Sequence, residues 1–294
     1  MRISIVTINF NGSEDTIKLL RSLEEQTDQD FETIVVDNAS EEADFANLHN
    51  AITLITTSQV VNPQVKIVRN SENLGFSGGN NVGIRQVLKN ASDWVVFLNN
   101  DTWVERDFIE RLRAVLGVKS EVVGLPLIES GRVAYTGRIE WLKPTLKHAY
   151  QLTSLPAYQL YAIGGAMAVH KDVFEKIGFL DEKYFLYFED ADFSVRARKA
   201  GFEISIAENL NVHHHVSSST KKLGSPLLMR YHYRNALYFN LKNGPWYIKL
   251  LVWPWSWLII VKQLIKLALG KNRKASRSIL AGVINFYQRK YGKI

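Results

Sequence analysis

The sequence contains no cysteine, and its acidic residues stop abruptly before the last third of the chain. Without thiols, disulfide bonds and thiolate metal sites are excluded, which favours a reducing compartment. All 29 Asp and Glu residues lie at or before Glu208, whereas the 86 residues from Asn209 onward hold 15 of the 36 Lys and Arg residues. With the other 21 cations, the first 208 residues carry a net charge of −8, and the remainder carries +15. This division predicts an acidic globular part and a basic part that meets an anionic membrane or nucleic acid.

Long apolar runs are scarce as well. The longest is Leu250–Val261, which includes Pro254 and is shorter than the ~20 residues that a membrane-spanning helix needs. Four of the seven Trp residues lie in or near it, at positions 246, 253, 255 and 257, and Lys249 and Lys262 flank it. Trp and Lys in this arrangement are typical of the bilayer interface, so we expect interfacial binding rather than a buried core helix. The same apolar content favours lipid over nucleic acid as the partner.

Strand and helix patterns alternate along the first half of the chain. β-Branched apolar runs predict four strands, at Arg2–Ile8, Phe31–Val36, Val65–Arg69 and Trp94–Leu98. Helical spacing predicts helices at Ser13–Gln26, within Glu41–Asn62 and at Phe108–Leu116. Such alternation is typical of an α/β fold with a mostly parallel, doubly wound sheet. Ligands of these sheets bind beyond the carboxyl ends of the strands.

Two acidic clusters each follow an apolar segment. Asp101 ends the run Asn99-Asn100-Asp101 after a predicted strand, where a carboxylate suits a hard divalent cation, although such residues also form ordinary turns. The second cluster, Glu189-Asp190-Ala191-Asp192, follows four large apolar residues. A carboxylate packed against aromatic rings has a raised pKa, which suits a general base, whereas helix capping is the alternative for this cluster.

Three further patterns are candidates for binding phosphate or metal. The Gly-rich run at 73–81 precedes a predicted helix, and its N–H groups could meet a phosphate, or it is a flexible turn. One residue of the His triplet at 213–215 is a candidate metal ligand, because neighbours on a strand face opposite sides. Arg230 and Arg234 share a helix face, which could grip a phosphate or pair with the acidic part of the chain.

Seven segments, taken together and in this order, resemble the family 2 glycosyltransferases of the GT-A fold. Among these, the sequence is most similar to the bacterial rhamnosyltransferase-like enzymes of cell-surface polysaccharide synthesis. The segments are SIVTINFNG at 4–12, VVDNAS at 35–40, NLGFSGGNNVGI at 73–84, FLNNDT at 97–102, GGAMAVH through RKAGF at 164–202, HHVSSS at 214–219 and YHYRNALYF at 231–239. The resemblance implies a Rossmann-like GT-A catalytic domain over residues 1–243. A basic, Trp-rich amphipathic tail would follow over residues 244–294 and associate with the membrane.

The resemblance also implies roles for individual residues. The nucleotide-sugar donor would be bound by strand ends and the Gly-rich run, at Thr7, Asn9, Asp37, Gly75, Asn81, Asn99 and Asn100. Arg234, on a later helix, would hold a phosphate, either of the donor or of a lipid-diphosphate acceptor. The family's DxD motif matches residues 99–101 with Asn in place of its first Asp, which leaves Asp101 as the charged metal ligand there. His214 matches the late His ligand, with His213 as second choice. Asp190 matches the catalytic base, with Glu189 beside it.

The expected activity is therefore inverting sugar transfer from a nucleoside diphosphate donor, dTDP-rhamnose or a UDP-sugar, with Mg²⁺ or Mn²⁺ as cofactor. The expected acceptor is a saccharide, polyprenyl-diphosphate-linked, at the inner face of the cell membrane, where the cytoplasmic enzyme would bind peripherally. Two other functions fit parts of the pattern: a nucleotidyltransferase, and a catalytically silent, membrane-bound polysaccharide-binding protein. No nucleic-acid partner is expected.

Overall fold

The computed structural model describes residues 1–57, 64–118, 120–143, 145–151, 159–214 and 225–294. Its first elements are β1 (Ile3–Asn9), α1 (Ser13–Glu24), β2 (Phe31–Asp37), α2 (Glu42–Thr57), β3 (Gln64–Arg69), α3 (Gly75–Lys89), β4 (Trp94–Leu98), β5 (Thr102–Trp103), α4 (Phe108–Val115), β6 (Val122–Gly124), β7 (Leu127–Glu129) and β8 (Arg132–Ala134). There follow β9 (Thr136–Glu140), β10 (Thr145–Ala149), β11 (Leu160–Tyr161), β12 (Ala166–His170), α5 (Lys171–Ile177), α6 (Glu189–Lys199), β13 (Ile204–Ile206), β14 (Val212–His214), α7 (Ser225–Asn243), α8 (Trp246–Ala268) and α9 (Arg273–Tyr287).

The central sheet has seven strands within the described ranges, in the order β13-β6-β12-β4-β1-β2-β3. Strand β1 pairs in parallel with β2 and β4, and Asn9 lies opposite Asp37 at the carboxyl ends. Strand β12 is antiparallel to both of its neighbours, β4 and β6. Strands β2 and β4 are buried throughout, as expected for a sheet that is covered on both faces. The carboxyl ends of β1, β2 and β4 therefore meet at one edge, as the sequence predicts.

The Gly-rich run lies inside helix α3 rather than before it. A Cβ atom at Gly79 would lie 3.0 Å from the Ile8 side chain, and one at Gly83 would overlap Val6. These glycines therefore let α3 approach strand β1 closely. Most of the run serves helix–sheet packing, and the expectation of a loop that precedes the helix is wrong.

A smaller sheet extends the same edge, in the order β5-β14-β7-β8. Strand β14 is antiparallel to β5, with His214 opposite Thr102, and parallel to β7, with His214 opposite Glu129. Because β5 begins directly after Asp101, this pairing carries His214 to the end of β4. The strands that follow β8 in the chain form a separate three-stranded sheet, in the order β10-β9-β11.

The last three helices pack on one another around a common core. Their buried apolar side chains come from all three helices: Leu237, Val252, Ile259, Ile279, Val283 and Phe286. Helix α7 also contacts α6, and its Phe239 and Ala236 share a second cluster with Phe188. The boundary expected at 243/244 therefore falls between two helices of one packed layer.

Helix α8 is longer than the apolar run at its centre. It has 23 residues and includes Pro254, which gives a length of ~34 Å. Within the described ranges, it is the one helix whose length and composition would let it cross a membrane, with a mean hydropathy of 1.4 over its most apolar 18 residues. Of that window, 28% is buried in the protein, along a face that includes Val252 and Ile259. The apolar run alone therefore underestimates the apolar surface that this helix presents.

Candidate active site

A cavity of about 330 Å³ lies at the carboxyl edge of the central sheet. Its lining includes residues from four separate segments that the sequence singles out: Gly75, Asn99, Asn100, Asp101, Glu189, Asp190 and His214. The fold thus brings both acidic clusters and the predicted late His to one cavity.

Asp101 and His214 face each other on one side of this cavity. Asp101 is 6% exposed, and its Oδ1 atom lies 3.3 Å from His214 Nε2 without the alignment of a hydrogen bond. The turn that carries Asp101 is fixed by its neighbours: the Asn99 N–H donates to the Gly165 carbonyl (2.9 Å), and Asn100 Nδ2 donates to Thr16 Oγ1 (3.1 Å). Asp101 is therefore held by the backbone around it, which leaves its carboxylate for a ligand.

Glu129 and His148 extend the line of contacts behind Asp101. His214 Nδ1 lies 3.1 Å from Glu129 Oε1, and His148 Nδ1 lies 3.0 Å from Glu129 Oε2. Contact with His148 and then His214 lowers the pKa of Glu129 to about 2. Burial by itself would lower the pKa of His214, but the adjacent Asp101 and Glu129 carboxylates outweigh it and raise that pKa to about 9. The imidazole ring thus lies between two carboxylates, with Nδ1 beside Glu129 and Nε2 facing Asp101.

The positions of Asp101 and His214 fit a divalent cation that is shared with a bound diphosphate, and such a cation would displace the proton that His214 carries at neutral pH. Among the described residues, no group of three or more His, Asp or Glu side chains is arranged around a metal. The buried Asp101 Oδ1 atom and His214 Nε2 are nevertheless 3.3 Å apart, close to the ~3 Å between adjacent ligands of an octahedral ion with bonds of ~2.1 Å. Mg²⁺ and Mn²⁺ accept one or two protein ligands when phosphate oxygens and water supply the others.

Glu189 and Asp190 lie at the N-terminus of α6, across the cavity lining. Asp190 accepts hydrogen bonds from the N–H of Gly164 (3.0 Å) and of Ala191 (2.7 Å). Glu189 is 6% exposed, and its Oε2 atom has no hydrogen-bond partner among the described residues. Burial raises the pKa of both groups, and the neighbouring Asp190 charge raises that of Glu189 further. Burial and the adjacent charge thus favour the protonated form of Glu189, while two N–H groups and the helix N-terminus favour the charged form of Asp190.

The predicted nucleotide-binding residues of β1 and β2 lie behind the cavity surface. Thr7, Asn9 and Asp37 are all buried. Asn9 Nδ2 donates to Asp37 Oδ1 (3.0 Å), and Asp37 Oδ2 lies 3.4 Å from Arg69 Nε. These contacts join the ends of the two strands. Direct contact of these residues with base and ribose stays a prediction, whereas their neighbour Asn38 does line the cavity.

Asn81 and Arg234 bind other parts of the protein. Asn81 Nδ2 donates to the Leu180 carbonyl (2.9 Å) and to Glu182 Oε1 (2.8 Å), which joins α3 to the segment before α6. Arg234 is fully buried, and its donors are directed to backbone carbonyls and to Asn235. This geometry does not support the predicted phosphate contact of Arg234.

Glu129 and His148 were not predicted from the sequence, although both line the cavity. Glu129 ends a three-residue strand, and His148 lies in a five-residue strand, both too short to give a periodic pattern. The signal that places Glu129 here is its pairing with His214 across β7 and β14, which requires the structure.

Comparison with known proteins identifies the family. A model of glycosyl transferase family 2 matches residues 4–178, more than half of the chain. The chain belongs to glycosyltransferase family 2. Two of its curated relatives are rhamnosyltransferases. The dTDP-rhamnosyl transferase RfbF of Shigella flexneri is 23% identical, over 61% of this chain and 64% of the relative. The N-acetylglucosaminyl-diphospho-decaprenol L-rhamnosyltransferase of Mycobacterium tuberculosis is 22% identical, over 95% of this chain and 97% of the relative.

A solved structure has the same fold as this family 2 glycosyltransferase. The mannosyltransferase PcManGT of Pyrobaculum calidifontis, in complex with GDP-Man and Mn²⁺, superposes with a TM-score of 0.62 at 12% sequence identity. The match covers 98% of this chain and 88% of that one. The predicted GT-A fold, the family and its rhamnosyltransferase-like character are thereby confirmed.

Proposed function

We propose that this protein is an inverting hexosyltransferase that moves a sugar from a nucleoside diphosphate donor to a saccharide acceptor. The observation that carries the proposal is the placement of a pair of carboxyl groups, Glu189 and the proposed base Asp190, in the same cavity as Asp101 and His214. The first pair suits an acceptor hydroxyl, and the second suits a diphosphate with its cation. One cavity thus holds the two kinds of group that a single displacement requires.

The acceptor hydroxyl oxygen attacks the anomeric carbon of the donor sugar, and its proton passes to Asp190. The bond between that carbon and the diphosphate oxygen breaks with its electron pair, which remains on the departing nucleoside diphosphate. Because attack and departure occur on opposite faces, the anomeric configuration inverts. Glu189 keeps its proton and limits the charge beside Asp190. Asp101 and His214 would hold Mg²⁺ or Mn²⁺, which supplies positive charge to the departing diphosphate when it is bound.

The relatives support dTDP-rhamnose as the first donor to examine and UDP-sugars as the second class. One relative is a dTDP-rhamnosyl transferase, and another is an L-rhamnosyltransferase of a decaprenol-linked acceptor. The latter aligns with 95% of this chain, tail included, and supports a polyprenyl-diphosphate-linked saccharide as acceptor.

The surface of α8 supports a lipid-borne acceptor as well. Trp246, Leu250, Trp257 and Leu258 are each more than 60% exposed. An apolar groove of about 270 Å³ opens beside them, and its lining includes Trp141 of the catalytic part. Trp141 stacks on Phe239, which contacts Phe188 next to the proposed base. The enzyme would bind peripherally at the inner face of the cell membrane, with its basic helices on anionic lipid and the cavity facing the cytoplasm.

Product analysis tests the proposed reaction. The full chain is incubated with dTDP-rhamnose or UDP-hexoses, Mn²⁺ and a synthetic polyprenyl-diphosphate saccharide. We expect release of the nucleoside diphosphate and a new glycosidic bond of inverted anomeric configuration, measured by NMR. Release of a sugar 1-phosphate, with transfer of the nucleoside monophosphate, would indicate the nucleotidyltransferase instead, and nucleotide binding without turnover of any donor would indicate the silent polysaccharide-binding protein.

A further inference from the structure

The segment that leads into the proposed base is built in an unfavourable backbone conformation. Phe185, Tyr187 and Phe188 have φ angles of +60°, +71° and +76°, which side chains with a Cβ atom rarely adopt. Phe185 and Tyr187 line the cavity, and Phe188 immediately precedes Glu189 at the start of α6. Since such a conformation persists only where its surroundings impose it, the segment must be held by contacts from elsewhere.

Arg234 of α7 supplies part of that hold. Its five N–H donors have five acceptors: Nη2 donates to the carbonyls of Lys183 (3.2 Å) and Tyr184 (3.0 Å), and Nε donates to Asn235 Oδ1 (2.8 Å). Nη1 donates to the carbonyls of Lys290 (3.3 Å) and Gly292 (2.7 Å). The planar guanidinium thus joins the start of the segment to residues 290–292.

Asn235 contacts further carbonyls along the same segment. Its Nδ2 atom donates to the carbonyls of Tyr184 (2.8 Å), Leu186 (2.8 Å) and Tyr187 (3.1 Å). Both Arg234 and Asn235 are fully buried. Burial lowers the pKa of Arg234 to about 10, so it still carries its charge at neutral pH.

Residues 290–294 brace the same place from the other side. The Gly292 N–H donates to the Lys183 carbonyl (2.8 Å), and the Ile294 N–H donates to the Tyr231 hydroxyl (2.9 Å). The Tyr231 ring in turn stacks on Phe185, with 5.1 Å between ring centroids.

We propose that Arg234, Asn235 and residues 290–294 form a clamp that positions Glu189 and Asp190 by holding residues 184–188, three of which have a positive φ angle, in their observed conformation. These are positioning residues, because the clamp acts through the segment and touches no reacting atom. The inference rests on the proposed role of Asp190 as base. It assigns a catalytic purpose to the last residues of the tail that is independent of membrane binding.

Two variants test the clamp, with a matched control. Arg234→Lys replaces five fixed donors with three on a single atom, and a second variant lacks residues 290–294. The control is Arg230→Lys, one helical turn earlier on α7. Arg230 Nη2 donates to Asn285 Oδ1 of α9 (3.0 Å) and not to residues 184–188. We expect amide hydrogen exchange of residues 184–190 to quicken at least ten-fold in both test variants, and kcat for dTDP-rhamnose turnover to fall at least ten-fold. KM for the donor and the Kd of dTDP should stay within two-fold, as should every measurement on Arg230→Lys.

The measurements separate this inference from the proposed function. Faster exchange with unchanged kcat would overturn the clamp's catalytic role, and so would a loss of dTDP binding in proportion to kcat, which indicates general damage. Unchanged exchange in both variants would also refute it. Turnover that survives Asp190→Asn would instead refute the base assignment, while the exchange rates still decide whether Arg234 holds the segment.

Discussion

The two sides of the cavity are built by different parts of the chain. Asp101 follows a buried strand whose register with β1 is regular, so its position derives from the central sheet. Asp190 follows a left-handed segment that is held by side chains about fifty residues later and by residues near position 290. The side that is proposed to bind the diphosphate is thus built on regular strand pairing, and the base side on a segment that distant side chains hold in place. Substitutions on the two sides should therefore impair different properties: kcat on the base side and the affinity for the cation on the other.

Asp190→Asn should produce the largest loss. The amide cannot accept the acceptor proton, so we expect kcat to fall by about 10²–10⁴-fold, the usual contribution of a general base. The affinity for dTDP or UDP, measured by calorimetry, should stay within two-fold because the diphosphate side is unaltered. Glu189→Gln is the matched control: its neutral side chain resembles the protonated Glu189, so the loss should be far smaller. Equal losses in the two variants would contradict the assignment of the charge to Asp190.

Glu129→Gln should weaken the binding of the divalent cation on the opposite side of the cavity. Without the carboxylate, His214 loses the negative charge beside its Nδ1 atom, and we expect the affinity for Mn²⁺ in the presence of dTDP to fall about ten-fold. Asp101→Asn should lower it further, because it removes the charged ligand itself. The control is Glu105→Gln, since Glu105 contacts His213 on the other face of β14 (3.4 Å). Unaltered Mn²⁺ affinity in Asp101→Asn would remove the metal from this side of the cavity.

The acid limb of the pH dependence should report on the base side. Burial raises the pKa of Asp190 above its ordinary value of 3.8, and only the deprotonated form accepts a proton. The value of kcat/KM should therefore fall as the pH drops through a point above 3.8, by up to ten-fold per unit. The Kd of dTDP should not share this limb. An acid limb at or below 3.8 would contradict the buried environment of Asp190.

Membrane binding should show the smallest effects, with no change in chemistry. The double variant Trp246→Ser/Trp257→Ser removes rings that are 75% and 62% exposed, and we expect about ten-fold weaker binding to anionic vesicles. Leu54→Ser, on α2 and 72% exposed, is the control and should bind as the parent does. Equal vesicle binding by all three proteins would exclude α8 as the membrane surface. Point variants are preferable to truncation after Asn243, which would uncover Leu237 and the shared helical core.

The sequence predicts the sheet and its polar edge because long buried strands have clear patterns. The strands that end at Asn9, Asp37 and Leu98 are found where the apolar runs place them, and the inserted helix is found at Glu42–Thr57. Residues 125–163 gave no such pattern because their strands have two to five residues, so Glu129 and His148 were missed.

Arg234 shows a second limit of sequence patterns. The spacing of Arg230 and Arg234 predicts a shared helix face, but it does not show whether that face meets a ligand or the backbone of another segment. The carbonyls that surround Arg234 come from residues 183–184 and 290–292, and backbone acceptors leave no trace in side-chain identity. Only the packing of α7 against both segments reveals them.

The bonds between Arg234 and the carbonyls of Lys290 and Gly292 also set an order of events during synthesis. Residues 1–243 contain every side chain that lines the cavity, and they leave the ribosome first. The acceptors at 290 and 292 emerge some fifty residues later, so the guanidinium cannot complete its contacts on the nascent chain. All the side chains that line the cavity are therefore translated well before residues 184–188 can reach their final conformation.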